Sequence, residues 1–315
     1  MSNYHIQLHE LGFTLPQALS ADDLPQLFAD FFNLPGIDPD TIRQPKGRNG
    51  YFELYTLKGE HGADLISVCI RGAGNLQGTS HVLLHGEALE TGKLDVVAIA
   101  SDIIMKSGWG TSAHLALDDH NNLLPWQEIK DCCAYAAYSD RLITRLCKPS
   151  KDRKSGEMKD NPPTLLIEEG ETIYLGKRKS DTSICIYNRR GPIRVELRLS
   201  DRGQVTGLLQ RIAAGDDIGP IAAGLLHHNL AFVQAGRRRK DRRPICQWWV
   251  DFLGNAEKQT LSRHREVNHR SPWYAPADPV TRLEKKLRGE LVGKYSLETK
   301  GMLENLVAEF SIEYQ

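Results

Sequence analysis

No apolar run in this 315-residue chain reaches the roughly 18 residues a membrane-spanning helix needs. No membrane span is therefore expected. The six cysteines (Cys69, Cys132, Cys133, Cys147, Cys185, Cys246) form no CxxC pair and no short disulfide framework. They read as reduced thiols, and no Cys/His quartet suggests zinc. The opening stretch, MSNYHIQLHELGF, lacks a basic segment followed by an apolar one, so no secretory leader is expected and a cytoplasmic location is. No glycine spacing before Gly176-Lys177 makes a Walker A loop, so ATP hydrolysis is not expected. Net charge is also missing: 40 Lys+Arg stand against 40 Asp+Glu.

That neutrality hides an imbalance. Residues 1–140 carry 8 basic and 18 acidic side chains, while residues 141–315 carry 32 and 22. Such a split between halves points to an anionic partner for the second half. The chain is 40% hydrophobic and 25% charged, an ordinary globular composition with ample core for one large or two modest domains.

The patterning predicts three regions: a helical segment over 1–45, an α+β unit over 46–205, and a mainly helical region over 206–315. In the first, Leu24, Leu27, Phe28, Phe31 and Phe32 recur at helical spacing. In the second, strands are expected at 51–59, 63–72, 80–86 and 112–119, with helices at 87–107 and 125–146. GAGNLQG (72–78) lies between two strand patterns and reads as a hairpin loop, not a dinucleotide cradle. Polar residues 148–164 read as a loop. Strands follow in TLLIEEG, ETIYLGKR and TSICIYNRRGPIRVELRLS. Strands followed by helices predict an α+β fold with a largely antiparallel sheet.

The last of those strings carries the chemistry. With Arg190-Gly191 as the turn, Tyr187 falls opposite Arg194, Cys185 opposite Glu196 and Ser183 opposite Arg198. Alternation then puts Tyr187, Arg194, Glu196 and Arg198 on one face. A phenol with an ordinary pKa of about 10 is a weak nucleophile at neutral pH, and neighbouring cations or a divalent metal favour its ionised form. Arginines grip phosphate oxygens in pairs. The set suits attack on a phosphodiester, giving a phosphotyrosine. It also suits a cross-strand ion-pair ladder.

The string Tyr174-Leu-Gly-Lys-Arg-Lys-Ser180, then Ile186-Tyr187-Asn188-Arg189, then Arg194-Val-Glu196-Leu-Arg198, resembles the replication initiation factor family. That family comprises rolling-circle initiators of plasmids and filamentous phages and related relaxases. Asn49-Gly50-Tyr51, the His81–Gly86 string, Ser112–Asp119 and Trp248-Trp249 add weaker agreement, so the likeness runs from about residue 45 to 255. It implies an RRM-like, HUH-like antiparallel-sheet nickase core and a metal-dependent endonuclease that nicks one strand at an origin. Tyr187 matches the nucleophile, which becomes joined to the 5′ phosphate and leaves a 3′ hydroxyl. Glu196 matches an acidic metal-ligand position. His114 stands where the family has an acid, and Asp118 shares its strand parity, so Glu196, His114 and Asp118 are the expected ligands of Mg²⁺ or Mn²⁺. Arg178, Lys179, Arg189, Arg190, Arg194 and Arg198 are the expected DNA contacts. A homodimer and a host helicase are expected partners.

Tyr174, flanked by Ile173 and Leu175, reads as a core strand residue. GRRRKDRRP (236–244) holds six basic residues and one acid, so Arg237, Arg238 and Arg239 join the expected phosphate contacts. Two other readings stand beside the nickase: an initiator-derived, site-specific DNA-binding protein without cleavage, and an RNA-binding sheet protein.

Overall fold

The computed structural model describes residues 4–32, 43–44, 47–59, 62–90, 94–147, 150–151, 157–159, 161–166, 171–177, 180–188, 191–254 and 256–261. Arg265–Gln315 form a separate unit and lie outside the described residues.

The chain begins with strand β1 (His5–Leu15). A short helical stretch follows, with α1 (Leu24–Gln26) and a wider turn over Leu27–Phe31. Next come β2 (Arg43–Gln44), β3 (Tyr51–Lys58), β4 (Asp64–Gly72) and β5 (Ser80–Leu84), then α2 (Gly86–Glu90), α3 (Val96–Met105) and β6 (Trp109–Asp119). α4 (Trp126–Cys133) and α5 (Tyr135–Arg141) lead into the short strands β7 (Leu142–Thr144), β8 (Ser150–Lys151) and β9 (Met158–Lys159). β10 (Thr164–Leu166), β11 (Thr172–Leu175), β12 (Thr182–Asn188) and β13 (Ile193–Leu199) follow. The chain then turns helical in α6 (Arg202–Ala213) and α7 (Ile218–Asn229), interrupted by β14 (Leu230–Phe232) before α8 (Gln247–Leu253).

Ten strands form one sheet in the order β10-β11-β12-β13-β6-β1-β5-β4-β3-β2. Every pairing in it is antiparallel. The α+β class with a large antiparallel sheet, expected from the sequence, is the observed one. GAGNLQG is the turn between antiparallel β4 and β5, as expected.

Three differences have physical causes. The sequence pattern predicts no strand near the N-terminus, yet β1 sits at the middle of the sheet between β5 and β6. Register shifts between Leu8 and Glu10, and between Gly12 and Phe13, break its alternation and hide the period-2 signal. The helix expected over 87–107 is two helices; Asp95 caps the second by accepting from the amides of Val97 and Ala98, both at 3.0 Å. Val97, an apolar residue in the second of them, is exposed. The helix expected over 125–146 stops at Ala134, whose ψ of 142° leaves helical space, restarts as α5, and gives way to β7 paired with β14.

One face of the sheet is apolar. Leu115, Leu117, Ile184, Ile186, Val195 and Leu197 are fully buried there, in one core with Ile99 and Ile103 of α3 and Val205, Leu208 and Ile212 of α6. Asp201 ends β13 and caps α6 by accepting from the Gln204 amide at 2.9 Å, which turns the chain from strand to helix. α3 and α6 pack together, and α6 lies on β6. All six cysteines are buried and free. Among the described residues, no helix is long and apolar enough to cross a membrane.

The β6–α6 contact depends on Gly110. A Cβ there would lie 2.3 Å from Val205 Cγ1 and 2.8 Å from a Val205 backbone carbon. Gly110→Ala is expected to cost about 1–3 kcal/mol by overpacking, read as a lower urea midpoint. Adding Val205→Ala should recover part of the loss. An unchanged midpoint for Gly110→Ala would show that α6 does not bear on this strand.

Candidate active site

The opposite face of the sheet is polar in three rows. Register puts His5, Asp118, Arg194 and Tyr187 side by side on β1, β6, β13 and β12. The next row runs Gln7, Ala116, Glu196, Cys185, Tyr174. The third runs Glu10, His114, Arg198, Ser183. Adjacent strands lie about 4.8 Å apart, so side chains along a row touch. The β12–β13 register is the one the sequence predicts, because the connection between Asn188 and Ile193 holds an even number of residues.

Glu196 is the hub. It is 2% exposed. Its Oε2 accepts from the Tyr187 hydroxyl at 3.2 Å. Its Oε1 accepts from Arg198 Nε at 2.7 Å and lies 3.2 Å from His114 Nδ1. Burial pushes the Glu196 carboxyl up, but hydrogen bonds and charge from His114 and Arg198 outweigh it and hold the pKa down at about 2. Burial pushes the Tyr187 phenol up, and the negative Glu196 adds to it, reaching about 12. The other nitrogen of His114 faces Glu10 Oε1 at 3.5 Å, and Ser112 donates to the same oxygen at 3.1 Å.

Arg194 is the second centre, 1% exposed. Its Nε and one Nη donate to the two oxygens of Asp118 at 2.6 and 2.7 Å, and the same Nη reaches Gln7 Oε1 at 3.2 Å. Glu90, at the end of α2, lies 3.7 Å from its other Nη. Hydrogen bonding to Asp118, against the opposing effect of burial, makes the guanidinium hold its proton more tightly than usual.

Tyr187, Glu196, His114, Arg194 and Arg198 thus come together. The ligand atoms of Glu196, His114 and Asp118, the three expected to share a metal, do not form one cluster among the described residues. Asp118 is engaged by Arg194, whereas Glu196 accepts from Arg198 and lies against His114, whose other nitrogen faces Glu10. Asp118 instead joins His5 and His120, and the ligand atoms of these three lie within 4.8 Å of one another. Two imidazoles and a carboxylate fit a divalent transition-metal ion. Arg194 takes one lone pair of each Asp118 oxygen, the kind of support that ligating carboxylates commonly have. Sequence reasoning missed His5 because the β1 bulge masks its strand, and missed His120 because it lies just past the end of β6.

Arg178, Lys179, Arg189 and Arg190 lie outside the described residues. Arg237, Arg238 and Arg239 are exposed on a loop whose contacts run elsewhere: Lys240 Nζ donates to the Leu142 carbonyl, and Arg243 pairs with Asp140 at 2.8 Å. Tyr174 is not a core residue. It lies on the polar face, with the Arg198 guanidinium 5.9 Å from its ring centre, while its neighbours Ile173 and Leu175 are buried.

The fold is similar to that of a rolling circle replication initiator protein from Geobacillus stearothermophilus. The two align with a TM-score of 0.60 and 18% identity, over 82% of this chain and 99% of that one. The sequence model of the replication initiation factor family matches residues 113–270, just over half the chain, and the chain belongs to that family. The matched stretch holds Tyr187, Glu196 and Arg194 but begins after the weaker likenesses around Tyr51 and His81. No curated protein matches the chain.

The depressed Glu196 pKa fixes a sign. A carboxyl held lower in the folded chain stabilises it fully above the ordinary value of 4.5, and that contribution fades as pH falls toward about 2. Glu196→Gln is therefore expected to lose less stability than wild type across that window. Parallel acid limbs in pH-dependent urea unfolding would refute it. Arg194→Met leaves Asp118 buried without its partner and should cost about 3–5 kcal/mol in the same assay at neutral pH.

Proposed function

We propose that the chain is a site-specific DNA endonuclease that starts rolling-circle replication or element transfer by nicking one strand at an origin. The observation that supports it most is the Tyr187 hydroxyl resting on Glu196 beside two arginines, inside the family-matched stretch. Tyr187 Oη attacks the phosphorus, the P–O3′ bond breaks, and O3′ leaves and takes up a proton. The 5′ phosphate stays joined to the tyrosine. Religation is the reverse.

At a pKa of about 2, Glu196 does not keep a proton at neutral pH. It accepts a hydrogen bond from the phenol and aligns it, and the proton the phenol gives up as phenolate forms is matched by the one O3′ takes up. Arg198 and Arg194 stand where negative charge gathers on the phosphate. Because burial holds Tyr187 protonated, phenolate forms only when positive charge arrives with the substrate complex. A bound divalent metal supplies such charge. His5, Asp118 and His120 would hold it, and their imidazoles favour Mn²⁺ over Mg²⁺. The catalytic unit then includes β1.

The substrate is single-stranded at the cut. Arg178, Lys179, Arg189 and Arg190 flank the site in sequence and are further phosphate contacts in this reading; Arg237 to Arg239 bind backbone without reading sequence. A homodimer and a separate helicase complete the assembly, in the cytoplasm. A second reading, a DNA-binding protein whose cleavage has lapsed, draws on the saturation of Glu196 by Arg198 and His114.

Supercoiled DNA carrying the cognate origin, with Mn²⁺ or Mg²⁺, separates the two. Open circles and a covalent protein–DNA adduct are expected, both lost in Tyr187→Phe while binding persists. Binding without any nicking selects the second reading, and nicking by Tyr187→Phe rejects the nucleophile. Calorimetric titration with Mn²⁺ should show affinity falling by at least about tenfold in His5→Ala and in His120→Ala, a loss that even outer-shell partners commonly cause. Unchanged affinity would place the metal elsewhere.

A further inference from the structure

Beside the reacting groups the polar face carries a cavity of about 720 Å³, and the nicking step gives no part to its Tyr174, Lys177 or Ser183. His114 and Arg198 form part of its wall, and both also hold Glu196, the acceptor of the Tyr187 hydroxyl. The cavity is thus one carboxylate away from the attacking oxygen. Its volume is in the range of small-molecule sites.

The chemistry of the wall selects an occupant. Lys177 and Arg198 line it, and among the described residues no aspartate or glutamate does. Tyr174 lies on its floor with the Arg198 guanidinium 5.9 Å from the ring centre, and Leu166, 45% exposed, forms a side. Cations beside an aromatic ring are what single-stranded nucleic acid binds: phosphates meet the charges and an unpaired base lies on the ring. A duplex keeps its base faces stacked and offers none to Tyr174.

We infer that this cavity seats a nucleotide flanking the scissile phosphate of single-stranded DNA, with Lys177 and Arg198 on its backbone and its base on Tyr174. The inference rests on the nickase reading of Tyr187 for the position of the cut. It gives Tyr174 a positioning role that its strand pattern does not suggest.

The test uses the full chain carrying Tyr187→Phe, so that no adduct forms, and a short fluorescein-labelled oligo-dT strand read by anisotropy. Tyr174→Ala should weaken binding about 5- to 150-fold, the equivalent of about 1–3 kcal/mol per stacked base, while Tyr174→Phe binds like the parent. Lys177→Gln should lower the slope of log K against log salt by about 0.7, the share of one phosphate contact on a single strand. Ser183→Leu, which fills the cavity without changing charge, should weaken binding too. Parent-like affinity and slope in all of these overturn the inference. So does equal binding of the same-sequence duplex or of oligo-U with the same sensitivities. The two readings fail separately. An origin adduct in the Tyr187 protein, formed equally by Tyr174→Ala and Lys177→Gln, sinks the cavity alone. Cavity-dependent binding without any adduct sinks the nickase alone.

Discussion

The buried Arg194–Asp118 pair is the interaction on which the polar face depends. A guanidinium at 1% exposure is tolerable only because two Asp118 oxygens and Gln7 receive its protons. Those acceptors come from β6 and β1, so the pair ties three central strands at one level. It also places a fixed positive charge beside Tyr187 on the neighbouring strand. Moving β13 by one residue would turn Arg194 into the apolar core and Val195 out of it, a cost no surface contact offsets.

Glu196 solves the same problem differently. Its carboxylate is almost fully buried, and it stays ionised because Arg198 and His114 surround it. A carboxylate so held is a firm hydrogen-bond acceptor and a poor proton store. That suits a group that orients a phenol. His114 fits this arrangement: a carboxylate at that point would face Glu196 and Glu10 together, whereas an imidazole bridges them. Glu196 is thus held by Arg198 and His114, and the donors that could share a metal gather at His5, Asp118 and His120.

β1 links these features. The first strand of the chain is inserted between β5 and β6, which follow one another in sequence. It brings His5, Gln7 and Glu10 to all three polar rows. Its bulge keeps Glu10 opposite His114 despite the odd spacing from Gln7. The acidic N-terminal half and the basic C-terminal half thus meet in one sheet, which is why a chain of zero net charge presents ion pairs at its centre and cations in its cavity.

Much of this was legible in sequence. The α+β class, the β12–β13 register and the shared face of Tyr187, Arg194, Glu196 and Arg198 follow from period-2 alternation and an even-length turn, both local properties. The family likeness adds which tyrosine and which glutamate to weigh. Three things are not local. The position of β1 depends on pairing with strands some 70 and 110 residues on, through a bulge that erases its pattern. The partner of Asp118 depends on which strand lies beside β6. Tyr174 and Arg198 share a cavity wall only because β11, β12 and β13 are paired in that order. Alternation told which side chains share a face. Only the sheet's strand order, set by burial of the opposite apolar face, decided which of them touch.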